Sequence, residues 1–546
     1  MREMLFMPLV VAFFLIGCNR VEDHIQPVDL INKIDKPKLV VFIVVDQGMP
    51  ELLEKYNHLF TGGYRWLKDN GVSFSNMHHE YGYLVTGPSH YVLSSGRNPG
   101  NGGVIGNYWF NRDTKEGWYC VQDTIATDVI NGKESRSYRN IDITTLGDWL
   151  KDSNQNAKVV SISGKDRVAV LLGGKNPDMA LWYGKQGGYT TSTYYGSKLP
   201  DWVISFNSHL NVSSYVDTVW NRLFPESIYT SNTRADFYKG EADWSQKDGY
   251  SPTFPITFDE LGVKSMLGSF PYIPFGDEAM LRLGLIATER HELGEDENTD
   301  ILFLGLSATD GVGHEFGPHS HEQLDNYLRV DRHLGSFIES VESSIGSGNT
   351  LYVLTSDHGS IALPEYLKSE GIDAGRIPKP MKDSLYADVK TKIDLHIGKN
   401  KVYRYSNSFY YDTSMHQLER EAATDILKSN LSKLDGIRSV ITKEEILGGG
   451  NSIYERRLKN MVHPQKSPDV FLIPKKYWTM RYPYGASHGT PYDYDTHIPF
   501  VFSRGGSKSR INTKRVESVD IAPTIARYLN VQFPNDIDGK ALNLDE

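Results

Sequence analysis

The chain has 546 residues, of which 39% are hydrophobic and 12% aromatic, and its formal net charge is −10. This length suits a large α/β enzyme with insertions as well as it suits two domains. The negative charge argues against nucleic acid as a partner, because nucleic-acid-binding proteins usually present a basic face. A local cationic pocket for an anionic substrate stays compatible with this charge, because a cleft focuses the electric field independently of the net charge.

The N-terminus has the pattern of a bacterial lipoprotein signal peptide, which we predict over residues 1–18. An apolar run over residues 5–16 is followed directly by Gly17-Cys18. About 12 apolar residues are too few for a membrane-spanning helix, which favours a cleaved signal over an anchor helix. We therefore expect export to the periplasm or cell envelope and lipid anchoring to a membrane through Cys18. The alternative is an ordinary signal peptide with an incidental cysteine. Residues 19–36 are polar and predict a solvated tether.

Four apolar segments predict strands that are buried on both faces of a parallel sheet. They are residues 39–45, 157–163, 299–306 and 350–355. Continuous apolar runs of this length are typical of parallel strands, whose carboxyl ends meet at one edge of the sheet, where ligands bind. Each run is followed by residues that bind metals or anions, and we expect these to lie close together. They are Asp46, Lys165, Arg167, Asp310, His314, Asp357 and His358.

Each of these signals also has a plainer interpretation. Asp46 alone would more often be a helix N-cap, and Lys165 with Arg167 would be a charged surface turn. If the chain after residue 163 stays extended, Lys165 and Arg167 project to the same side. Asp310 and His314 are four residues apart, which is compatible with two metal ligands on one side of a helical turn. Residues of this kind follow all four predicted strands, and this recurrence favours a shared site.

Thr86 lies in the segment 83–90, where an apolar pair precedes the threonine and Gly-Pro follows it. A threonine in this position sits where an extended chain turns into a helix, so its hydroxyl could lie at a helix N-terminus and near a bound anion. Threonine is a poor nucleophile and needs a metal, a base or strong electrostatics to activate it. With His488, the chain offers three aspartates and three histidines, which are enough donors for two zinc ions.

Residues from about 176 to 290 interrupt the alternation of strands and helices and are rich in aromatic side chains. We predict a large inserted cap there, whose aromatic residues more often form a local core than a sugar-binding platform. The expected fold class is therefore α/β, with a mostly parallel central sheet flanked by helices and with this cap inserted.

Five segments, in this order and at compatible separations, are similar to the metal and nucleophile motifs of the alkaline phosphatase superfamily. They are residues 44–46, 83–90, 309–314, 356–359 and 487–489. Asn107 and the Lys165-Asp166-Arg167 segment also resemble the phosphate-irrepressible, PafA-type alkaline phosphatases. The similarity runs from about Lys38 to the C-terminus, so the resemblance implies an alkaline phosphatase-like catalytic domain over residues 37–546.

The resemblance implies two Zn²⁺ ions and a set of seven ligands. One ion would be held by Asp310, His314 and His488, and the other by Asp46, Asp357, His358 and Thr86.

The resemblance also implies the roles of four residues in hydrolysis. Thr86 would attack phosphorus and form a phosphothreonine, which water then hydrolyses. Asn107, Lys165 and Arg167 would bind the phosphoryl oxygens, with Arg167 suited to a bidentate contact. Two cations and an amide favour the dianion of a small-molecule phosphate monoester over a diester, which carries one charge and a second organic group. The implied function is zinc-dependent phosphate monoester hydrolysis.

Three alternatives differ from this interpretation at identifiable residues. Phosphodiesterases of the nucleotide pyrophosphatase kind share the threonine, the zinc ligands and an asparagine, and the pair Lys165 and Arg167 argues against them. Sulfatases need a cysteine or serine where Thr86 stands. A lipid-anchored, non-catalytic binding protein with a degenerate site is disfavoured because none of the expected ligands is missing.

Overall fold

The structure is a computed structural model that describes residues 36–242, 253–258 and 262–544. The predicted signal peptide with Cys18, and the predicted tether up to residue 35, lie outside the described residues. Within the described part of the chain, no helix has both the length and the apolar content that a membrane span requires.

A ten-stranded sheet forms the centre of the molecule. Its strands lie in the order Arg510–Asn512, Gly71–His78, His497–Arg504, Thr350–Thr355, Leu39–Val45, Asp300–Leu306, Val159–Ser163, Met179–Gly184 and Gly188–Thr190, with Val516–Glu517 also paired to Gly71–His78. Neighbouring strands from Thr350–Thr355 to Met179–Gly184 run parallel. His497–Arg504 and Gly188–Thr190 run antiparallel to the neighbours that connect them to this parallel block. The prediction of a mostly parallel α/β sheet is confirmed.

The strand Leu39–Val45 contributes side chains to the hydrophobic cores on both faces of the sheet. All seven of its residues are buried, and they alternate between two separate hydrophobic cores. Side chains on a strand point to opposite faces at a period of two, so one β-branched run fills both cores.

Helices cover the two faces of the sheet. One face packs against Pro50–Lys55, Gly63–Asp69, Pro274–Arg290 and His321–Ile345. The other packs against Thr86–Ser95, Leu146–Ser153, Asp166–Gly173 and Ile521–Tyr528. Two hairpins separate the helices Thr86–Ser95 and Leu146–Ser153. They are Tyr108–Asn111 with Glu116–Tyr119, and Gln122–Thr127 with Glu134–Arg136.

The region predicted as a cap contributes in part to the central sheet. Residues 179–184 and 188–190 are strands of that sheet, and the helix Pro274–Arg290 packs on its face. Between them lie the helices Asp201–Leu210, Glu226–Asn232 and Gly262–Ser269 and the paired strands Val219–Trp220 and Ile256–Thr257. Trp220 and Tyr229 are fully buried here, which agrees with aromatic side chains that form a local core.

Residues 375–479 form a small lobe with a sheet and a hydrophobic core of its own. The sequence analysis did not predict this lobe. Its antiparallel strands lie in the order Val402–Tyr405, Ser408–Tyr411, Val470–Pro474 and Ile437–Thr442. The helices Lys379–His396 and Gln417–Leu431 pack on them around a separate hydrophobic core. Shorter helices lie within and around the lobe. They are Pro364–Ser369, Lys443–Gly448, Ile453–Asn460 and Asp493–Thr496.

Candidate active site

The carboxyl ends of adjacent strands bring the predicted carboxylates together in the middle of the sheet. Asp46 follows Leu39–Val45 directly, and Asp357 lies two residues after Thr350–Thr355. Asp310 lies in the helix Ala308–Phe316, which follows the strand on the other side of Leu39–Val45. All three carboxylates are buried. The structure thus places these residues at one edge of the parallel block, as we expected from the strand ends.

Asp46, Asp357 and His358 form a first group of candidate metal ligands. Nε2 of His358 lies 3.2 Å from Oδ2 of Asp357 and 3.6 Å from Oδ1 of Asp46. These three atoms are buried and have no hydrogen-bond partner among the described residues. A buried carboxylate oxygen is costly unless it is paired with a donor or a cation, so three converging unpaired atoms fit a bound metal ion.

Asp310 is the centre of a second group. Its Oδ1 lies 3.2 Å from Nε2 of His314 and 3.6 Å from Nε2 of His488. Asp310 and His314 share one helical turn, as their spacing predicted. The rings of His358 and His488 stack with their centroids 3.5 Å apart, so the two groups are contiguous, and Asp310, His358 and His488 also converge. The division of the ligands between two ions stays a prediction.

Backbone carbonyls fix the orientation of the three histidines. The Nδ1 atoms of His314, His358 and His488 contact the carbonyl oxygens of Ala486, Gly359 and Leu84 at 2.8, 3.1 and 2.7 Å. Because a carbonyl only accepts hydrogen bonds, each Nδ1 must carry the hydrogen, and in a neutral imidazole this leaves Nε2 with a lone pair toward the carboxylates. In His488, although burial opposes the charged form, the neighbouring Asp310 raises the pKa. Burial lowers the pKa of His314 to about 4 and lowers the pKa of His358 as well. Both are therefore neutral imidazoles, the form that binds metals.

Lys165 and Arg167 reach the site from the N-terminus of a helix. The condition of an extended chain holds only as far as Lys165, because the helix Asp166–Gly173 begins at the next residue and its apolar residues pack into the core. Nζ of Lys165 donates to Asp46 and Asp310 at 2.5 and 2.6 Å, and Nη2 of Arg167 donates to Oγ1 of Thr86 at 3.2 Å. Lys165 is only 3% exposed, so this cation is held inside the site by paired carboxylates.

Asp166, which stands between Lys165 and Arg167 in the sequence, forms its hydrogen bonds with residues other than the candidate metal ligands. Its carboxylate accepts hydrogen bonds from the hydroxyl of Tyr119 at 2.5 Å, from Nε of Arg136 at 3.1 Å and from the N–H of Arg167 at 2.7 Å. Asp166 thereby ties the first turn that carries Arg167 to the two hairpins. Sequence reasoning had not identified Tyr119 and Arg136, which lie 30 or more residues before Asp166.

Thr86 is the first residue of a helix that is buried along its whole length. Val85 before it is extended, with φ −140° and ψ 157°, which confirms the predicted turn from an extended segment into a helix. Oδ1 of Asn107 accepts a hydrogen bond from the N–H of Gly87 at 2.6 Å. Because this bond uses the oxygen of the carboxamide, its NH₂ group is the donor that Asn107 offers to an anion at the helix N-terminus.

Gln47 is a site residue that the sequence analysis missed. It is fully buried and has the left-handed φ of 63°. Its N–H donates to Oδ1 of Asp357 at 3.0 Å, and its Nε2 donates to Oδ1 of Asp310 at 3.0 Å. A Cβ on Gly313 would lie 1.8 Å from Oε1 of Gln47, so a glycine is needed opposite this side chain. The available signal was its position directly after Asp46 at a strand end.

The fold and the site define a class of protein. The family model for "Type I phosphodiesterase / nucleotide pyrophosphatase" matches residues 40–497, so the chain belongs to this family. The resemblance to the alkaline phosphatase superfamily is confirmed by relatives that match along nearly the whole chain.

These relatives are alkaline phosphatases. The chain is 31% identical to alkaline phosphatase PafA of Elizabethkingia meningoseptica, over 94% of this chain and 95% of that protein. It is 32% identical to alkaline phosphatase PhoV of Synechococcus elongatus, over 96% of each. The crystal structure of wild-type alkaline phosphatase PafA matches with a TM-score of 0.86 and 31% identity, over 94% of this chain and 99% of that one. The protein is therefore an enzyme of the alkaline phosphatase class.

Proposed function

We propose that the protein is a zinc-dependent phosphate monoester hydrolase that acts through a phosphothreonine at Thr86. The observation that carries the proposal is the convergence of two groups of metal-binding side chains with Lys165, Arg167 and the Thr86 hydroxyl at one edge of the sheet. The relatives named above support a phosphatase, and they do not favour the alternative of a phosphodiesterase or nucleotide pyrophosphatase.

The donor set supports zinc as the metal. The two groups combine imidazole nitrogens and carboxylate oxygens, which suit zinc, and the unpaired buried atoms of Asp46, Asp357 and His358 fit a bound cation. We propose that Asp310, His314 and His488 hold one ion, and that Asp46, Asp357, His358 and Thr86 hold the other. When bound, the two ions would lower the pKa of the Thr86 hydroxyl and stabilise charge on the entering and leaving oxygens.

The residues around Thr86 suit attack on a phosphoryl group. A bond forms between Oγ1 of Thr86 and phosphorus while the bond from phosphorus to the ester oxygen breaks, and the alcohol leaves. Water then attacks the phosphothreonine, releases phosphate and restores the hydroxyl. Arg167, which contacts Oγ1 in the structure, would hold a non-bridging oxygen next to the reacting atom. The NH₂ group of Asn107 would donate to a second oxygen.

Lys165 and Arg167 support a monoester rather than a diester. A monoester dianion carries two charges and three oxygens that can accept hydrogen bonds, so it gains more from two nearby cations than a diester does. Lys165 donates to Asp46 and Asp310 in the structure, so it would turn to a phosphoryl oxygen when bound metal ions take up these carboxylates.

Trapping the intermediate tests the role of Thr86. Zinc-loaded enzyme mixed with an aryl phosphate and quenched in acid should carry phosphate on the peptide that contains Thr86, measured by mass spectrometry. A Thr86→Ala variant should lose the label and roughly a thousandfold or more of kcat. Thr86→Ser, which retains a hydroxyl, serves as the control and should still be labelled. An undiminished rate in Thr86→Ala would reject the nucleophile.

We also propose that the protein is exported and anchored to a bacterial membrane through Cys18. The support is the apolar run that ends at this cysteine. Full-length protein expressed in a bacterium should fractionate with membranes, and Cys18→Ala should release it into the soluble fraction. Cys120, which is buried in the catalytic domain, gives the matched control, since Cys120→Ala should stay with the membranes. Equal fractionation of wild type and Cys18→Ala would count against the anchor.

A further inference from the structure

A cleft of about 470 Å³ opens beside the metal-binding groups, between the small lobe and the segments that carry Tyr83, Tyr108 and His488. Its walls include residues 82, 83, 85, 105, 108 and 109, three strands of the small lobe, and residues 487–491 with Tyr494. Aromatic side chains are prominent among these residues, and they include Tyr83, Tyr108, Tyr405 and Trp478. This volume lies within the range of small-molecule sites, which are mostly apolar with a few polar groups.

The cleft is continuous with the phosphoryl-binding region. His488, a candidate metal ligand, lines the cleft. Arg481 lines both the cleft and the smaller pocket that contains Lys165, Arg167 and Asp310. An ester whose phosphoryl group lies at Thr86 can therefore extend its alcohol portion past His488 into the cleft.

Tyr83 lies at the junction between the site and the cleft. A Cβ on Gly106 would be 3.4 Å from Cε1 of Tyr83, and a Cβ on Gly489 would be 3.5 Å from its Cε2. The ring therefore lies between the loop that carries Asn107 and the loop that carries His488. It is nevertheless 43% exposed, and Tyr108 is 56% exposed. Exposed aromatic faces grouped in one cleft mark a binding surface.

We propose that this cleft binds the alcohol portion of the substrate and selects phosphate monoesters whose alcohol carries a flat aromatic group. The inference rests on the monoesterase function proposed above and adds the class of substrate. Offset or edge-on contacts between aromatic rings contribute beyond the burial of apolar area, and Tyr83 and Tyr108 present such rings to the cleft. A methyl ester would leave the cleft without an organic occupant.

A comparison of three primary-alcohol monoesters tests the inference, because their leaving groups are chemically similar. The substrates are 2-naphthylmethyl, cyclohexylmethyl and methyl phosphate, and kcat/KM is measured with zinc-loaded enzyme. We expect a preference of roughly tenfold or more for the naphthylmethyl over the methyl ester, and a clear preference over the cyclohexylmethyl ester. Tyr83→Ala should reduce the naphthylmethyl-to-methyl ratio about tenfold, whereas Tyr83→Phe should retain it.

Phe237 provides the matched control, since it is an exposed aromatic residue outside the cleft, 58% accessible, and Phe237→Ala should leave the ratio unchanged. Tyr405→Ala, on the small-lobe wall, should reduce the ratio as well and covers the case in which Tyr83→Ala fails to fold. Equal rates for the three esters, equal preference for the cyclohexylmethyl ester, or ratios that neither variant changes would overturn the inference.

A binding measurement separates failure of the inference from failure of the proposed function. Naphthylmethylphosphonate and methylphosphonate are titrated into the same protein by calorimetry. Tighter binding of the aromatic phosphonate, weakened by Tyr83→Ala, supports the cleft even if no monoester is hydrolysed. Turnover of monoesters with equal binding of both phosphonates keeps the monoesterase and rejects the aromatic selection.

Discussion

Gln47 is a single residue that hydrogen-bonds to both groups of candidate metal ligands. Its backbone and its carboxamide each donate to a different carboxylate, Asp357 and Asp310. The left-handed backbone at Gln47 is uncommon for a residue with a side chain, and it directs both donors from one position. The geometry of the two carboxylates therefore depends on a residue that itself binds no metal.

Replacing Gln47 by alanine should loosen Asp310 and weaken zinc binding. Loss of a hydrogen bond to a ligating carboxylate typically costs 10- to 100-fold in metal affinity, so we expect a decrease of about that size, measured by competition with a chelator. Circular dichroism checks that the variant is folded. Gln417→Ala, at an exposed helical position, is the control and should bind zinc as the wild type does. Unchanged affinity in Gln47→Ala would mean that Asp310 is held by its other contacts.

At the scale of elements, the helix Ala308–Phe316 carries two candidate ligands and is held at its start by Asp277. The carboxylate of Asp277, from the helix Pro274–Arg290, accepts hydrogen bonds from the N–H groups of Ser307 and Ala308 at 2.7 and 3.2 Å. Burial raises the pKa of Asp277 from 3.8 to about 7, although these amides favour the charged form. In the folded protein the protonated form of Asp277 therefore predominates up to about pH 7.

This shift gives stability a pH dependence of defined sign. Because the folded pKa lies above the unfolded value, the contribution is complete below about pH 4 and is lost as the pH rises through about 7. Asp277→Asn keeps an acceptor and removes the titration. The free energy of unfolding from urea denaturation should therefore fall less between pH 5 and pH 8 in Asp277→Asn than in the wild type. Parallel pH profiles for the two proteins would contradict the assignment.

The elements that the sequence predicted best are those with uniform burial. The run of residues 39–45 is apolar throughout because both sheet faces are covered, so its strand and the carboxylate after it could be identified without a structure. The sequence left the backbone after residue 163 open, and the burial of residues 168–172 explains why a helix begins there at Asp166. The small lobe was missed because Val402–Tyr405 and Ile437–Thr442 are only partly buried and Ser408–Tyr411 is short, so that Val470–Pro474 is the one continuous apolar run among its four strands.

The candidate site was likewise predicted only in part. Asp46, Asp310 and Asp357 were expected to converge because each follows an apolar run typical of a parallel strand, whereas the order of these strands in the sheet comes from the structure. The role of Gln47 depends on one backbone dihedral and on the close approach of Gly313, and neither has a signature in a single sequence. Contacts between distant segments, such as those of Asp166 with Tyr119 and Arg136, likewise appear only in the folded chain.

At the scale of the whole molecule, an acidic protein gathers three cations at its candidate site. The net charge is −10, yet Lys165, Arg167 and Arg481 line one pocket at the edge of the sheet, together with Asp310 and Glu315, which pair with Lys165 and Arg481. Local field, not net charge, decides which substrate binds there. The cleft against the small lobe adds an apolar surface next to this pocket, so phosphoryl recognition and recognition of the alcohol are assigned to different parts of the chain.

The most direct test of the central claim is a side-by-side measurement of kcat/KM for an aryl phosphate monoester, the matching diester and the matching sulfate ester. Zinc-loaded wild type and the double variant Lys165→Ala/Arg167→Ala are compared. We predict that the wild type prefers the monoester over both other esters, and that the double variant loses roughly 100-fold more activity toward the monoester than toward the diester. A wild type that prefers the diester or the sulfate ester, or equal losses on monoester and diester, would contradict the account.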